Sequence, residues 1–504
     1  MRPTVTTVSP ARGGVHRWQT AVRPRRRTTS EAVAPGRLNA PSSGGARPRT
    51  VRAARLLPDR RTALATHAVT GRSAPPVPEL DSAEVERWRA GGGELIELLG
   101  LARERLGGLA AVRIGPEPTV LVTGPEAVQH VLARNPDAYV KRSHRARLLI
   151  GDGLLAATGD AWQRQRRLLQ SQFTGTGMRR YERRIAAAAR TTAQRWAGYA
   201  RSGEVFDVGE EMRRFALDTI WRALTGHPLD EATARELTAV AAVVAVLPSL
   251  PADEARARGS VAADLARIDA VARRAVAAAR DGEAGPEGPG LLRVLVDASG
   301  TYPQYTDRLL RDELVTLLVA GHETTATTLT WLYLLLDRHP GAREEALAAG
   351  PEGSPERREA VRALVSETLR LYPSAWILPR HAAIADTVAG HAVPAGTDLL
   401  VCPYLTHRDP QLWPEPERFD PRRFTAPGGR PARQGAYLPF GMGPRACLGT
   451  QFALRESVAV LELLLPRHVP VFDSAPTGAV YGLTVRPDGP APARLAPASH
   501  GGRP

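Results

Sequence analysis

Thr306–Arg338 carries helical spacing of apolar residues over a run longer than most folds can accommodate. Thr306 is placed to cap its start, Asp307 lies in the first turn, and His339-Pro340 supplies the stop. At the rise of an α-helix it spans about 50 Å, enough to cross a large domain. It is apolar on most of its faces, so it belongs in a core rather than on a surface. The fold must therefore be built around one central helix.

The rest of the chain supplies what could wrap it. Gly93–Leu106, Glu182–Ala200, Val208–Thr225, Ala232–Leu247 and Val261–Arg280 read as helices. Ala111–Ile114 and Thr119–Val122 alternate like a strand pair. After Leu371, Trp376–Ala382, Thr387–Val393 and Leu399–Pro403 read as short strands; Asp409–Pro431 is irregular, and Leu448–Leu464 returns to helix. The class predicted is mainly α with minor β, a helix-rich domain with a small β-rich portion. The strands are too scattered for a doubly wound sheet.

Charge separates one segment from this body. Residues 1–75 hold 15 arginines against Glu31 and Asp59, so nearly all of the net charge of +15 lies there and the body is close to neutral. Such an Arg/Pro-rich segment buries too little to offset its ordering entropy, which predicts a disordered extension over 1–75 and a folded domain over 76–504. A transit peptide, or a start codon placed too far upstream, would look the same. No nucleic-acid-binding body is implied. No run approaches the roughly 20 apolar residues of a membrane span, and two cysteines make no disulfide framework, so a cytoplasmic chain without a transmembrane anchor is expected.

One of those cysteines is embedded in a motif. Phe440–Gly449 reads FGMGPRACLG, with Phe440, Gly441, Gly443, Arg445, Cys447 and Gly449 at fixed offsets. This resembles the haem-binding loop of the cytochrome P450 family. The resemblance implies that Cys447 is the thiolate ligand of haem b (iron protoporphyrin IX). A thiolate pushes electron density onto the iron and favours O–O cleavage. It also implies that Phe440 packs under the haem, that Arg445 meets a propionate and that Gly449 lets backbone approach the sulfur. Read by itself, Cys447 would be a buried thiol in a glycine-rich turn, as Cys402 is expected to be.

Further motifs agree. Ala320–Thr325 reads AGHETT and is similar to the family's oxygen-activation motif, which makes Glu323 and Thr324 the proton relay and leaves room beside the haem at Ala320–Gly321. Alone, an acid and a hydroxyl in an apolar helix are equally a satisfied structural pair. His322 between them has no assigned role. Glu367-x-x-Arg370 shares a helix face; with Arg418 of PERF, Pro416–Phe419, it matches the family's structural triad. Trp162-x-x-x-Arg166 and Arg380 stand where the family binds haem propionates.

The function implied is a monooxygenase that inserts one oxygen atom from O2 into a small apolar organic substrate. Electrons would come from a ferredoxin or flavodoxin with its reductase, docked on Arg164, Arg167, Arg422 and Arg423. The substrate pocket is expected from Arg147–Leu155, Ala239–Leu250, Val319, Trp376–Leu378 and Gly482–Thr484. A haem-binding sensor has no need of Glu323-Thr324, and a peroxide-driven hydroxylase lacks such a pair. They remain the alternatives.

Overall fold

The structure is a computed structural model that describes residues 74–142, 145–251, 253–426 and 434–497. The expectation of disorder over 1–75 therefore lies, apart from Ala74 and Pro75, outside the described residues, as does the end of the irregular stretch.

The central helix forms over Asp307–Arg338, 32 residues, with the Thr306 hydroxyl accepting from the Leu309 N–H. Pro340 starts a new helix, Pro340–Ala348, instead of only ending the old one. Val208–Thr225 forms as read, capped by Asp207, whereas the segment read as Glu182–Ala200 is part of a longer helix, Gly175–Ser202. The helix after Cys447 runs over Thr450–Leu464. Among the described residues, no helix is long and apolar enough to cross a membrane.

Strands distant in sequence assemble into a five-stranded sheet ordered Leu109–Val112, Thr119–Val122, Asp398–Val401, Leu378–Ala382, Tyr139–Val140. Thr119–Val122 and Asp398–Val401 run parallel and the other pairs antiparallel. The single strand read at Thr387–Val393 is a hairpin, Asp386–Val388 with His391–Val393. It turns at Ala389 and Gly390, whose φ values of 47° and 83° are left-handed. C-terminal strands complete a second sheet that the sequence reading did not resolve: Pro492–Pro497 lies between Phe206–Asp207 and His468–Phe472.

Two apolar cores share the central helix. Leu310–Val319 packs in one with Leu149, Tyr181, Val243 and Ile268. Ala326–Leu336 packs in the other with Trp196, Phe206, Leu364 and Leu461. The seam between them falls at Ala320–Thr325, where the sequence turns from apolar to AGHETT.

Candidate functional site

The loop ahead of Cys447 is shaped by backbone hydrogen bonds. The Cys447 N–H donates to the Phe440 carbonyl at 2.7 Å, and Ala446 N–H to Gly443 O at 3.0 Å. Gly441 and Gly443 have φ of 70° and 73°, a region L side chains avoid. At Gly443 a Cβ would also lie 2.0 Å from the Leu132 carbonyl, so this glycine is required twice over.

The Cys447 sulfur is surrounded by protein, and that burial pushes its pKa up. The Gly449 N–H, the Thr450 hydroxyl and the Arg166 guanidinium pull it back. Yet the residue keeps free surface, which therefore belongs to an interior cleft walled by protein. Cys402 is the contrast: fully buried, its pKa pushed by burial to about 12, its thiol donating to the Trp376 carbonyl.

The central helix opens at its seam. Ala320 is exposed, between buried Val319 and half-buried Gly321, and Thr324, one turn on, is partly open. The Thr324 hydroxyl donates to the Ala320 carbonyl at 2.7 Å, while its own carbonyl accepts from Thr328 and Ser374 at 2.9 Å. Gly321 does not leave room beside this cleft as expected. A Cβ there would meet the Ile220 side chain at 3.1 Å, so its lost side chain serves the crossing with Val208–Thr225. Glu323 Oε2 is buried without a hydrogen-bond partner, and burial raises its pKa against the pull of Arg213 and Arg486.

Four cations gather beside the cleft. Arg445 donates to the Ala157 carbonyl at 3.0 Å and lies over the Trp162 ring at 4.4 Å. Burial and then Arg166 lower its pKa. Among the described residues Arg380 reaches only the carbonyl of Pro379, and burial followed by the charge of Arg445 brings it down to about 10. The fourth, Lys141, is lowered to about 8 by burial and then by Arg380 and Arg445. It was missed in the sequence because no motif marks it; its one signal was being the lone lysine among arginines. Among the described residues none of the four has a carboxylate partner. A buried thiol with free surface, a helix opened at an alanine and unpaired cations form a donor set that fits a planar cofactor bearing a thiolate-ligated metal and two carboxylates.

The triad beneath this loop is present, with one member changed. Arg370 spends all five N–H donors: two on Glu367 at 2.8 Å, the others on the carbonyls of His407, Pro416 and Arg418. Arg423, 3.5 Å from Glu367, is the third charged member. Arg418 gives only its carbonyl, because its side chain points outward to Glu415. The same fact removes one member of the expected docking patch: Arg423 turns inward, while Arg422, paired with Asp420, stays exposed with Arg164 and Arg167.

The apolar lining is narrower than expected. Leu155, 36% exposed between buried neighbours, and Leu483, 50% exposed between half-buried Gly482 and buried Thr484, remain open. Ala239, Val240, Val243, Val319 and Trp376 are packed into the cores.

The Cytochrome P450 family profile matches residues 87–254 and 288–469. The chain belongs to the cytochrome P450 family. This P450 is 31% identical over 385 residues to cyclooctatin synthase of Streptomyces melanosporofaciens, covering 72% of this chain and 82% of that protein. It is 30% identical over 388 residues to cyclooctat-9-en-7-ol 5-monooxygenase of the same organism, with the same coverage. A solved six-coordinated cytochrome P450 from Thermus thermophilus superimposes with TM-score 0.63 at 30% identity over 80% of this chain and 99% of that one. The heme domain of cytochrome P450DA, at 24% identity, shows the same fold with TM-score 0.73 over 84% of this chain and 98% of that domain. The P450 is thus an oxidoreductase of the haem-dependent monooxygenase type, which uses O2 and a redox partner on an organic substrate.

Proposed function

We propose that this P450 binds haem b through Cys447 and inserts one oxygen atom from O2 into an apolar organic substrate, by hydroxylation or epoxidation. The observation that carries this reading is Cys447, its thiol surrounded by protein while the residue keeps free surface, within the field of Arg166, which leads on to Arg445, Arg380 and Lys141. Haem bound there would supply the activation of dioxygen. The chain's part is to hold, orient and protonate.

Arg166, Arg380, Arg445 and Lys141 would neutralise the two propionates, with Trp162 stacked under Arg445. Charged hydrogen bonds of this kind are among the strong ones, and buried unpaired cations favour an anionic ligand. Phe440 would pack beneath the ring. Gly449 and the helix Thr450–Leu464 present N–H groups and a positive helix end to the thiolate. Thr324, hydrogen-bonded to the Ala320 carbonyl, and Glu323 behind it would hold and hand on the protons that the reaction consumes.

Leu155, Leu483 and Ala320 favour a hydrocarbon-like substrate. One relative's name specifies an unsaturated ring alcohol, and we assign this P450 a substrate of that class, in secondary metabolism. Electrons would arrive from a ferredoxin or flavodoxin with its reductase, guided by Arg164 and Arg167 in a cytoplasmic setting.

The test is the absorption spectrum of the reduced, carbon-monoxide-bound protein beside a Cys447→Ser variant. A strongly red-shifted Soret band in the parent alone is expected. The same unshifted band in both proteins would overturn the thiolate reading.

A further inference from the structure

The turn at residues 151–156 is pressed onto the central helix more closely than apolar packing requires. A Cβ on Gly151 would lie 2.2 Å from Asp312 Oδ2, and one on Gly153 would lie 2.1 Å from Thr316 Oγ1. Polar bonds hold the contact. The Asp152 N–H donates to Asp312 Oδ2 at 2.9 Å, and the Leu154 N–H to Glu313 Oε2 at 3.0 Å. From the helix Gly159–Gln172, the Gln165 amide donates to the Asp152 carbonyl at 3.0 Å.

Three side-chain oxygens are left over here. Among the described residues Glu313 Oε1, Thr316 Oγ1 and Gln165 Oε1 have no hydrogen-bond partner, although none of these residues is more than 4% exposed. Glu313 and Thr316 share a helix face, one turn apart, and Gln165 meets the same turn from its other side. Buried oxygens left without partners are costly, and a carboxylate oxygen most of all.

The surrounding charges show what is missing. Asp152 pairs with Arg147 at 3.0 Å and lies 3.6 Å from Arg308. Arg311 pairs with Asp312 at 2.8 Å and donates to Asp269 at 2.7 Å. Three guanidiniums answer three aspartates, and among the described residues none stands at ion-pair distance from Glu313. Tyr305, buried in the field of Glu313, is held neutral by burial and then by that charge. Burial raises the pKa of Glu313 to about 7, so a proton balances it only below neutrality. One unbalanced negative charge among neutral oxygens suits a singly charged hard cation. Calcium takes about six to eight oxygens and magnesium a strict octahedron, and either would leave net positive charge buried.

We propose that Glu313, Thr316 and Gln165 hold a cation of sodium or potassium size between this turn and the central helix. The ion neutralises Glu313, satisfies the oxygens that the protein leaves unpaired and fastens the turn that carries Leu155. It moves no electrons and breaks no bond, and the thiolate role of Cys447 stands or falls without it.

The haem-loaded full chain is melted in sodium, potassium and tetramethylammonium acetate at equal ionic strength, so that screening is the same in each. Tetramethylammonium is too large for the site. Sodium or potassium should raise the melting temperature by about 3 °C at about a hundred-fold excess over its dissociation constant, the better-fitting ion acting at lower concentration. The gain should grow between about pH 6 and about pH 8, as the proton gives up Glu313. Glu313→Gln should abolish the difference between salts. Thr316→Val, which removes one oxygen and keeps the shape, should raise the concentration needed by about tenfold. Crystals grown with thallium(I) acetate should show an anomalous peak beside Glu313 Oε1. Equal melting in all three salts at the higher pH, or a salt effect that both variants keep, overturns the proposal. Density at that place without anomalous signal would be an ordered water only, and overturns it as well.

Discussion

Two buried side chains pull the stability of this P450 in opposite directions along the pH axis. Glu313, on the central helix, accepts from the Leu154 N–H at 3.0 Å, while its other oxygen has no partner. Burial and then, against the pull of that N–H, the charge of Asp312 bring its pKa to about 7. A carboxyl held above its ordinary value near 4.5 favours folding at low pH. That contribution is full below about 4.5 and is lost as pH rises through about 7, a difference of about 3 kcal/mol. His407 does the reverse. It links the Arg370 carbonyl to the Leu438 N–H and is lowered by burial, then Arg370, to about 3. Its contribution is full above about 6.5 and fades as pH falls towards 3. Glu313→Gln should therefore flatten the decline in unfolding free energy between about pH 5 and 8 and leave the acid limb alone. Denaturant melts across that range check it, and a profile parallel to the parent's would refute the assignment.

At the scale of elements, the crossing of the central helix with Val208–Thr225 turns on Gly321. A methyl there would sit 3.1 Å from Ile220 Cδ1 and Cγ1. Alanine improves helix propensity by about 1 kcal/mol, but overpacking a core costs about 1–3 kcal/mol. Gly321→Ala should then be destabilising by about 1 kcal/mol, and pairing it with Ile220→Val should recover much of that, seen as a favourable coupling in a double-mutant cycle. Simple additivity would show that the close approach carries no energy. The helices themselves were legible because caps and periodicity are local: Thr306 marks a start that the structure keeps, and the spacing over Val208–Thr225 gave that helix its bounds. The sheets were legible only in part, since Thr119–Val122 finds its partner at Asp398–Val401 and nothing nearby announces that pairing. The triad shows the same limit. Glu367 and Arg370 are one turn apart and were read correctly, but whether Arg418 or Arg423 reaches back depends on the path of an irregular segment.

For the molecule as a whole, the Arg/Pro-rich composition of residues 1–73 offers little apolar surface to bury, and the fold is expected not to need it. A chain beginning at Ala74 should melt within about 2 °C of the full chain and give the same reduced carbon-monoxide spectrum. A large loss of either would make the basic segment part of the fold. The family was legible because the motifs around Cys447 and around Glu323 and Thr324 are local in the sequence. Lys141 was not, because its meaning comes only from Arg380 and Arg445 arriving beside it from elsewhere in the chain. Its rarity has a practical side. With every other basic side chain an arginine or a histidine, Lys141 is the one side-chain amine in 504 residues. A lysine-directed protease has a single place to cut, and an amine-selective label a single side chain to mark. Both report on the same few ångströms of the cation cluster, so the occupancy of that site is readable as protection of one bond, without any spectroscopy of what fills it.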